Sequence, residues 1–288
     1  MALTLSRSDR MSPGRASSSV AVIELTGAIR DATGDTVSSS RGSRPVLEHL
    51  ANAREDRRVA AVALRINSGG GSAAFSQEIH RAIQKLREAG KPVVVSMGDT
   101  AASGAYYVSV AADRILANPA TITGSIGVYI QYLNAAELAE NYGVEYVTVK
   151  TGPYKDVGNP TKPLTDDQRT VLQMVVDNTL DQFVAAVAEG RGLADEDVRQ
   201  VADGRILTGA QAKNLGLVDD FGGLEDAIRL AADLAGIEGE PSIVVYRRQQ
   251  PWLSRYLELD LGDRFASGLG DQLLPHLIDW QSGPKIMF

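Results

Sequence analysis

The chain has 288 residues, 44% hydrophobic and 23% charged, enough to bury a full-sized core. Its net charge of −7 argues against a nucleic-acid partner, which needs Lys and Arg clustered on one face, and the absence of cysteine excludes disulfides and Cys-based metal sites. Apolar runs such as Pro92 to Ser96 and Ala105 to Ala112 fall well short of a membrane-spanning length.

Residues 1 to 19 hold Arg7, Arg10 and Arg15 among serines with no apolar stretch behind them, which predicts a flexible lead-in and no signal peptide. Val20 to Leu25 and Val59 to Asn67 read as buried strands, separated by a helical stretch from Pro45 to Asp56. Ala74 to Ala89 places Ile79, Ile83 and Leu86 on one helical face and stops at Gly90. Lys91 to Met97 is a third strand, Ser103 to Ala112 a helix that begins at the serine, and Arg114 to Asn118 a short strand. Val144 to Val149 reads as a further strand leading into the loop that carries Lys155. Thr165 to Gln168 is a capping-box signature that opens a long helix from Gln168 to Gly190. Leu207 to Ala212 and Leu215 to Asp219 read as helix and strand, followed by a helix from Leu224 to Ala235 and a last strand from Ser242 to Tyr246.

This alternation predicts the α/β class. The expected organisation is a lead-in over 1–19, a body over 20–246 and an extension over 247–288. The extension carries an apolar stripe that includes Trp252, Leu257, Leu277 and Trp280. Two readings stand for it: packing on the body or a neighbouring subunit, and a peripheral contact with a membrane or partner.

Three segments carry chemistry. Asn67-Ser68-Gly69-Gly70-Gly71-Ser72 follows a strand and precedes a helix, so successive glycine N–H groups can turn toward one point and hold an oxyanion. Gly69, Gly71 and Ala74 also meet the spacing of a dinucleotide fingerprint, but its acidic residue would be Glu88, at a helix end rather than after a second strand. A plain turn is the third reading. Ser103 lies at a predicted helix start, where unpaired N–H groups favour negative charge. The G-x-S-x-G elbow is absent, since Ala101 and Ala105 occupy its glycine positions. The chain has three histidines, His49, His80 and His276, none in a catalytic setting, and Lys155 follows the serine by 52 positions. A serine hydroxyl needs a partner to take its proton, and here the candidate is lysine. Singly, Ser103 reads as a capping serine and Lys155 as a solvated loop lysine; their conjunction with the glycine loop makes the case.

That ordered set resembles the S49 family of serine peptidases, the signal peptide peptidase A group, over about residues 20 to 246. The resemblance rests on Ile66 to Gly71, Gly98 to Tyr107, Thr123-Gly124-Ser125-Ile126-Gly127-Val128, Gly152 to Asp156, and Leu207 to Ala212 with Leu215 to Asp219. It implies a crotonase-like fold shared with the Clp protease subunits, built of repeated ββα units with a C-terminal helical extension. It implies Ser103 as nucleophile, Lys155 as general base, Ser125 as the serine that hydrogen-bonds the lysine, and N–H groups of Gly70 and Gly104 as the oxyanion hole. Gly69 stands where the family commonly has proline, and Ala105 replaces the second glycine of its Ser-Gly-Gly.

The resemblance further implies peptide substrates, signal-peptide-like or unfolded, no cofactor and no metal. It implies a homo-oligomer, a ring or dome, and leaves two arrangements open for the serine and lysine: within one subunit, or across a contact between neighbouring protomers. Membrane association is expected of the family; with no signal peptide or spanning segment read in this chain, the expected location is cytoplasmic or peripheral. A lysine in water titrates near about 10.4, so a lysine base at neutral pH has to be desolvated, a bias of about 4 kcal/mol against its charged form. Asp156 is accordingly expected to point away from Lys155. Three rivals remain at this stage: a crotonase-type acyl-CoA enzyme, a catalytically inactive membrane scaffold of the same family, and a Clp-like Ser-His-Asp protease. The last would need a histidine near position 125, whereas His80 is expected on a helix surface or partly buried.

Overall fold

The computed structural model describes residues 19–32, 43–246 and 287–288. Residues 1–18 of the predicted lead-in and the apolar stripe of 251–280 lie outside the described residues, and Ser19, the last residue of that lead-in, opens the first strand. Three parallel strands form the centre: β1 (Ser19–Thr26), β2 (Val59–Ser68) and β3 (Val93–Ala102). β2 is buried along almost its whole length, as expected of an unbroken apolar run in a parallel sheet covered on both faces. Alternate side chains sort to opposite faces. Ala21, Ile23 and Leu25 join the cluster under α1 (Arg44–Glu55) and α2 (Ala73–Glu88), whereas Val20, Val22, Ala61 and Ala63 meet Ala227 and Ala231 of α8 (Leu224–Leu234). The class is α/β, as the alternation predicts.

β3 is longer than the sequence suggests, reaching Ala102, because two different strands pair with its two halves. Val94 to Ser96 pair with β4 (Arg114–Ala117), and Thr100 to Ala102 pair with β5 (Ile122–Gly124). β5 in turn pairs antiparallel with β6 (Ile206–Thr208), β4 pairs with β7 (Asp220–Phe221), and β8 (Ser242–Val245) closes the other edge on β1. The second half of β3 thus runs between β2 and β5 straight into residue 103.

α3 (Gly104–Ser109) is shorter than expected, because turns follow and the Asp113 N–H bonds back to the Val93 carbonyl at 2.9 Å. α4 (Ala136–Asn141) leads into the segment predicted as a strand at Val144 to Val149, and no strand forms there. Val147 and Val149 are 84% and 97% exposed. A strand needs a neighbour to complete its hydrogen bonds, and among the described residues this segment has none. Leu215 to Asp219 is likewise a turn after α7 (Gly209–Asn214), with β7 just beyond it.

The predicted capping box is present. Thr165 Oγ1 accepts from the Gln168 N–H, Gln168 Oε1 accepts from the Thr165 N–H, and α5 (Asp166–Arg191) ends on Gly192 in the left-handed conformation. Its buried residues, Thr179, Phe183, Val184, Val187 and Ala188, all lie in its second half. That half is anchored by Arg191, which donates to Asp219 at 2.9 Å and to the Gly216 carbonyl at 3.0 Å. The first half carries the exposed Met174 and Val175. Short α6 (Asp195–Arg199) follows. No described helix is long and apolar enough to cross a membrane.

Candidate active site

Ser103 stands at the junction of β3 and α3 with φ 56° and ψ −125°. Among the described residues only Ser103 and Ser125 (φ 50°) are non-glycine with positive φ. Such backbone costs about 1–3 kcal/mol per residue and persists only where the surroundings impose it. At Ser103 the imposition is visible: its N–H donates to the Gly124 carbonyl at 2.8 Å, and its carbonyl accepts the Tyr107 N–H at 2.9 Å, the first turn of α3. The strand pairing and the helix start pull the residue in opposite directions, and the residue itself is 6% exposed.

The register that fixes Ser103 also brings up Ser125. Thr100, Ala101 and Ala102 pair in parallel with Ile122, Thr123 and Gly124, so the next residues, Ser103 and Ser125, leave the two strands side by side. The buried Thr123 hydroxyl donates to the Ala101 carbonyl at 2.7 Å and locks that register. The Ser125 N–H donates to the Arg205 carbonyl at 2.8 Å, which tethers it from the far side.

The glycine loop closes over the serine. Gly70 has φ 96°, and a β-carbon there would lie 2.7 Å from the Gly104 nitrogen and 2.9 Å from Ser103 Cβ. Only glycine fits. Ile29 holds the loop from outside, its N–H donating to the Gly70 carbonyl and its carbonyl accepting the Ser72 N–H, both at 2.9 Å. The Gly70 N–H is taken by Ser68 Oγ at 3.1 Å. The N–H groups of Gly71 and Gly104 have no protein partner among the described residues, and a β-carbon on Gly104 would lie 3.3 Å from the Gly71 nitrogen. Sequence reasoning singled out Gly70 and passed over Gly71, because motif spacing does not tell which N–H in a glycine run is already occupied.

Lys155 is not brought to this cluster within the protomer. It is exposed, in a turn where its N–H bonds to the Gly152 carbonyl, and no hydrogen bond joins its amine to Ser103 or Ser125. Asp156 points elsewhere, as expected. It accepts from Lys150 at 2.5 Å and lies 3.7 Å from the Lys162 amine, and the hydrogen bond from Lys150 chiefly holds its carboxyl below the usual carboxylate range.

His80 is more buried than expected, 8% exposed on the inner face of α2 with its ring 5.0 Å from that of Tyr107. Burial pulls its titration down to about 4, against a weaker opposing effect of its bond with Gln84. The surprise is Met287 and Phe288. Met287 pairs antiparallel with both Ser72 and Tyr129, exchanging two backbone bonds with Tyr129 at 3.1 and 3.2 Å, while the Phe288 N–H donates to the Gly71 carbonyl at 3.1 Å. No sequence signal links positions so far apart. Among the described residues no cluster of His, Asp or Glu could hold a metal ion.

A strained serine under a glycine loop, with a second strained serine beside it, is the geometry to set against known proteins. The description "Peptidase family S49" matches residues 85–238. A putative protease of Synechocystis is 42% identical over 219 residues, covering 76% of this chain and 75% of that relative. The chain belongs to peptidase family S49. A putative signal peptide peptidase SppA of Enterococcus faecium is 37% identical over 223 residues, 76% of this S49 chain and 64% of the relative. Protease 4 of Salmonella typhi is 37% identical over 226 residues, and the matched stretch spans 36% of that longer protein. Among solved structures, a ClpP1 mutant of Listeria monocytogenes matches 72% of the S49 chain and 94% of its own, at 16% identity and a TM-score of 0.46.

Proposed function

We propose that this S49 chain is a serine endopeptidase with Ser103 as nucleophile and Lys155 of a neighbouring copy as general base. The observation that carries the reading is the convergence of Ser103, Ser125 and the glycine loop at one strained strand-to-helix junction. Ser103 Oγ attacks the scissile carbonyl and gives its proton to the uncharged lysine amine. The oxyanion is received by N–H groups of Gly104 and of the glycine loop, where Gly71 has a donor to offer and Gly70's is engaged by Ser68. The lysine returns the proton to the leaving amine, then takes one from the water that hydrolyses the acyl-enzyme. Ser125, beside Ser103, orients the amine by a hydrogen bond.

Two features support completion by a second copy. Lys155 is solvent-exposed in the single protomer. On either side of it in the chain, Leu133, Tyr142, Val147, Val149 and, on α5, Met174 are exposed apolar side chains, and exposed apolar surface is what subunit contacts cover. Docking of the segment that carries Lys155 on another copy would desolvate the amine. The substrates proposed are signal-peptide-like or unfolded peptides, as the name of the Enterococcus relative suggests.

Mixing tests both halves. Ser103→Ala and Lys155→Ala chains are each expected to lack peptide hydrolysis, and co-assembled mixtures are expected to regain a fraction of it through mixed sites. Hydrolysis at the parent rate by either variant alone would remove the reading, and mixtures that stay inactive would place the base within the same protomer.

A further inference from the structure

We infer that the groove between α1 and α2 is the docking place of this chain's own segment Pro251 to Asp263, an acidic and apolar stretch that lies outside the described residues. The inference stands apart from the peptidase reading and uses none of the residues around Ser103. The groove encloses about 330 Å³. Leu47 and Leu50 of α1 and Ala82 of α2 form its floor, and Arg54, Glu78, Arg81 and Lys85 its rim. On each helix these positions recur three and four apart, the spacing of a single helical face, so two facing stripes enclose it.

The charges of groove and segment mirror each other. The rim carries three cations, Arg54, Arg81 and Lys85, and one acid, Glu78. The segment carries three acids, Glu258, Asp260 and Asp263, and one cation, Arg255. Among the described residues Arg81 and Lys85 form no ion pair, and Arg54 reaches only its neighbour Glu55, at 3.4 Å. A chain of net charge −7 thus keeps a cationic rim without acidic partners. Exposed ion pairs add little affinity and mainly set direction, so burial of Leu253, Tyr256 and Leu257 on the floor is what holds the segment.

The path of the chain leads the segment there. β8 runs parallel to β1, so the described chain stops, at Tyr246, at the end of the sheet from which α1 and α2 start. The Tyr246 ring lies 5.8 Å from that of His49 on α1. The described chain resumes at Met287, paired with Ser72 just before α2, so both ends of the intervening stretch lie against this helical layer. Residues 247–251 can reach about 17 Å, more than the width of one helix, about 10–12 Å, which carries Trp252 past α1. From the start of α2 toward its end the rim presents Glu78, Arg81 and Lys85 in turn, and the segment presents Arg255, Glu258 and Asp260. Laid along α2 in the same direction, the two sets meet with opposite signs throughout.

The chain has no cysteine, so introduced thiols report proximity without background. In the full chain, with Ser103→Ala so that the proposed activity cannot cut the segment, Ala82→Cys is combined with Leu257→Cys and treated with a short bismaleimide. The control combines Leu257→Cys with Asp233→Cys, an exposed position of α8 on the other side of the sheet. Cross-linking within one chain, mapped by mass spectrometry, is expected to be at least about tenfold faster for the Ala82 pair than for the control. Arg81→Glu with Lys85→Glu is expected to slow it about tenfold, and adding Glu258→Lys with Asp260→Lys to restore it, with melting unchanged throughout. Equal rates for the two pairs, or no restoration by the charge exchange, overturns the inference. So does cross-linking found only between mixed, singly substituted chains, which would assign the groove to the segment of a second copy.

Discussion

Gly70 and Ser103 are in contact across the site, so close that a β-carbon on the glycine would lie 2.9 Å from that of the serine. The glycine loop and the strand-to-helix turn at Ser103 are therefore one unit, and a change on either side moves the other.

Gly70→Ala is the direct probe of that contact. The added methyl meets the Gly104 backbone nitrogen at 2.7 Å and has to adopt φ 96°, so the loop is pushed off the serine. Expected are a stability loss of about 1–3 kcal/mol in urea denaturation and a fall in Ser103 labelling by a fluorophosphonate of about a hundredfold. Unchanged labelling would show that the loop does not shape the reactive site.

Ser125→Ala removes a hydroxyl without disturbing the Ser125 N–H bond to the Arg205 carbonyl. Peptide hydrolysis is expected to fall by about a hundredfold through kcat, with thermal melting nearly unchanged. A variant that keeps full kcat would free Ser125 from any role toward the lysine.

Asp156 anchors the lysine turn through Lys150 and Lys162. Asp156→Asn keeps the shape and removes the charge, so the turn loosens while the core is untouched. Hydrolysis is expected to drop about tenfold or more, and proteolytic nicking near Lys155 to rise. If both stay at parent levels, the ion pairs do not position Lys155.

His80 makes stability depend on pH in a defined window. The unfolded chain binds its proton near 6.5, whereas burial delays binding in the folded chain to about 4. Acidification across that interval therefore favours the unfolded state, by on the order of 3 kcal/mol in total, with no further loss from this group below it. His80→Gln, which does not titrate, is expected to give a flatter curve of unfolding free energy between those pH values. Parallel curves for parent and variant would assign the acid sensitivity to other groups.

Arg191 is 8% exposed on its side chain and pairs with Asp219, which also accepts the Ile115 N–H at 2.7 Å. Removing the cation strands a partly buried carboxylate, so Arg191→Met is expected to cost about 3–5 kcal/mol by denaturant unfolding. A loss under 1 kcal/mol would mean that solvent replaces the guanidinium there.

The elements legible in the sequence are those whose information is local. β1 and β2 follow from apolar runs, α2 from the spacing of Ile79, Ile83 and Leu86, and the start of α5 from Thr165 and Gln168, because periodicity and caps act within one or two turns of chain. Val144 to Val149 had the same local credentials and formed no strand, since pairing depends on a neighbour that local pattern does not record.

The order of the glycine loop, Ser103, Ser125 and Lys155 along the chain was enough to place the chain in the S49 family and to raise the serine–lysine proposal. Only the tertiary structure decided which of these residues meet. Parallel pairing of β3 with β5 sets Ser103 beside Ser125, close packing of Gly70 presses the loop onto Ser103, and Lys155 sits in an exposed turn. The seat of Phe288 between Tyr107 and Phe183 belongs to the same category: helices α3 and α5 are joined only through the packed core, and contacts of that kind are set by burial and register rather than by neighbours in sequence.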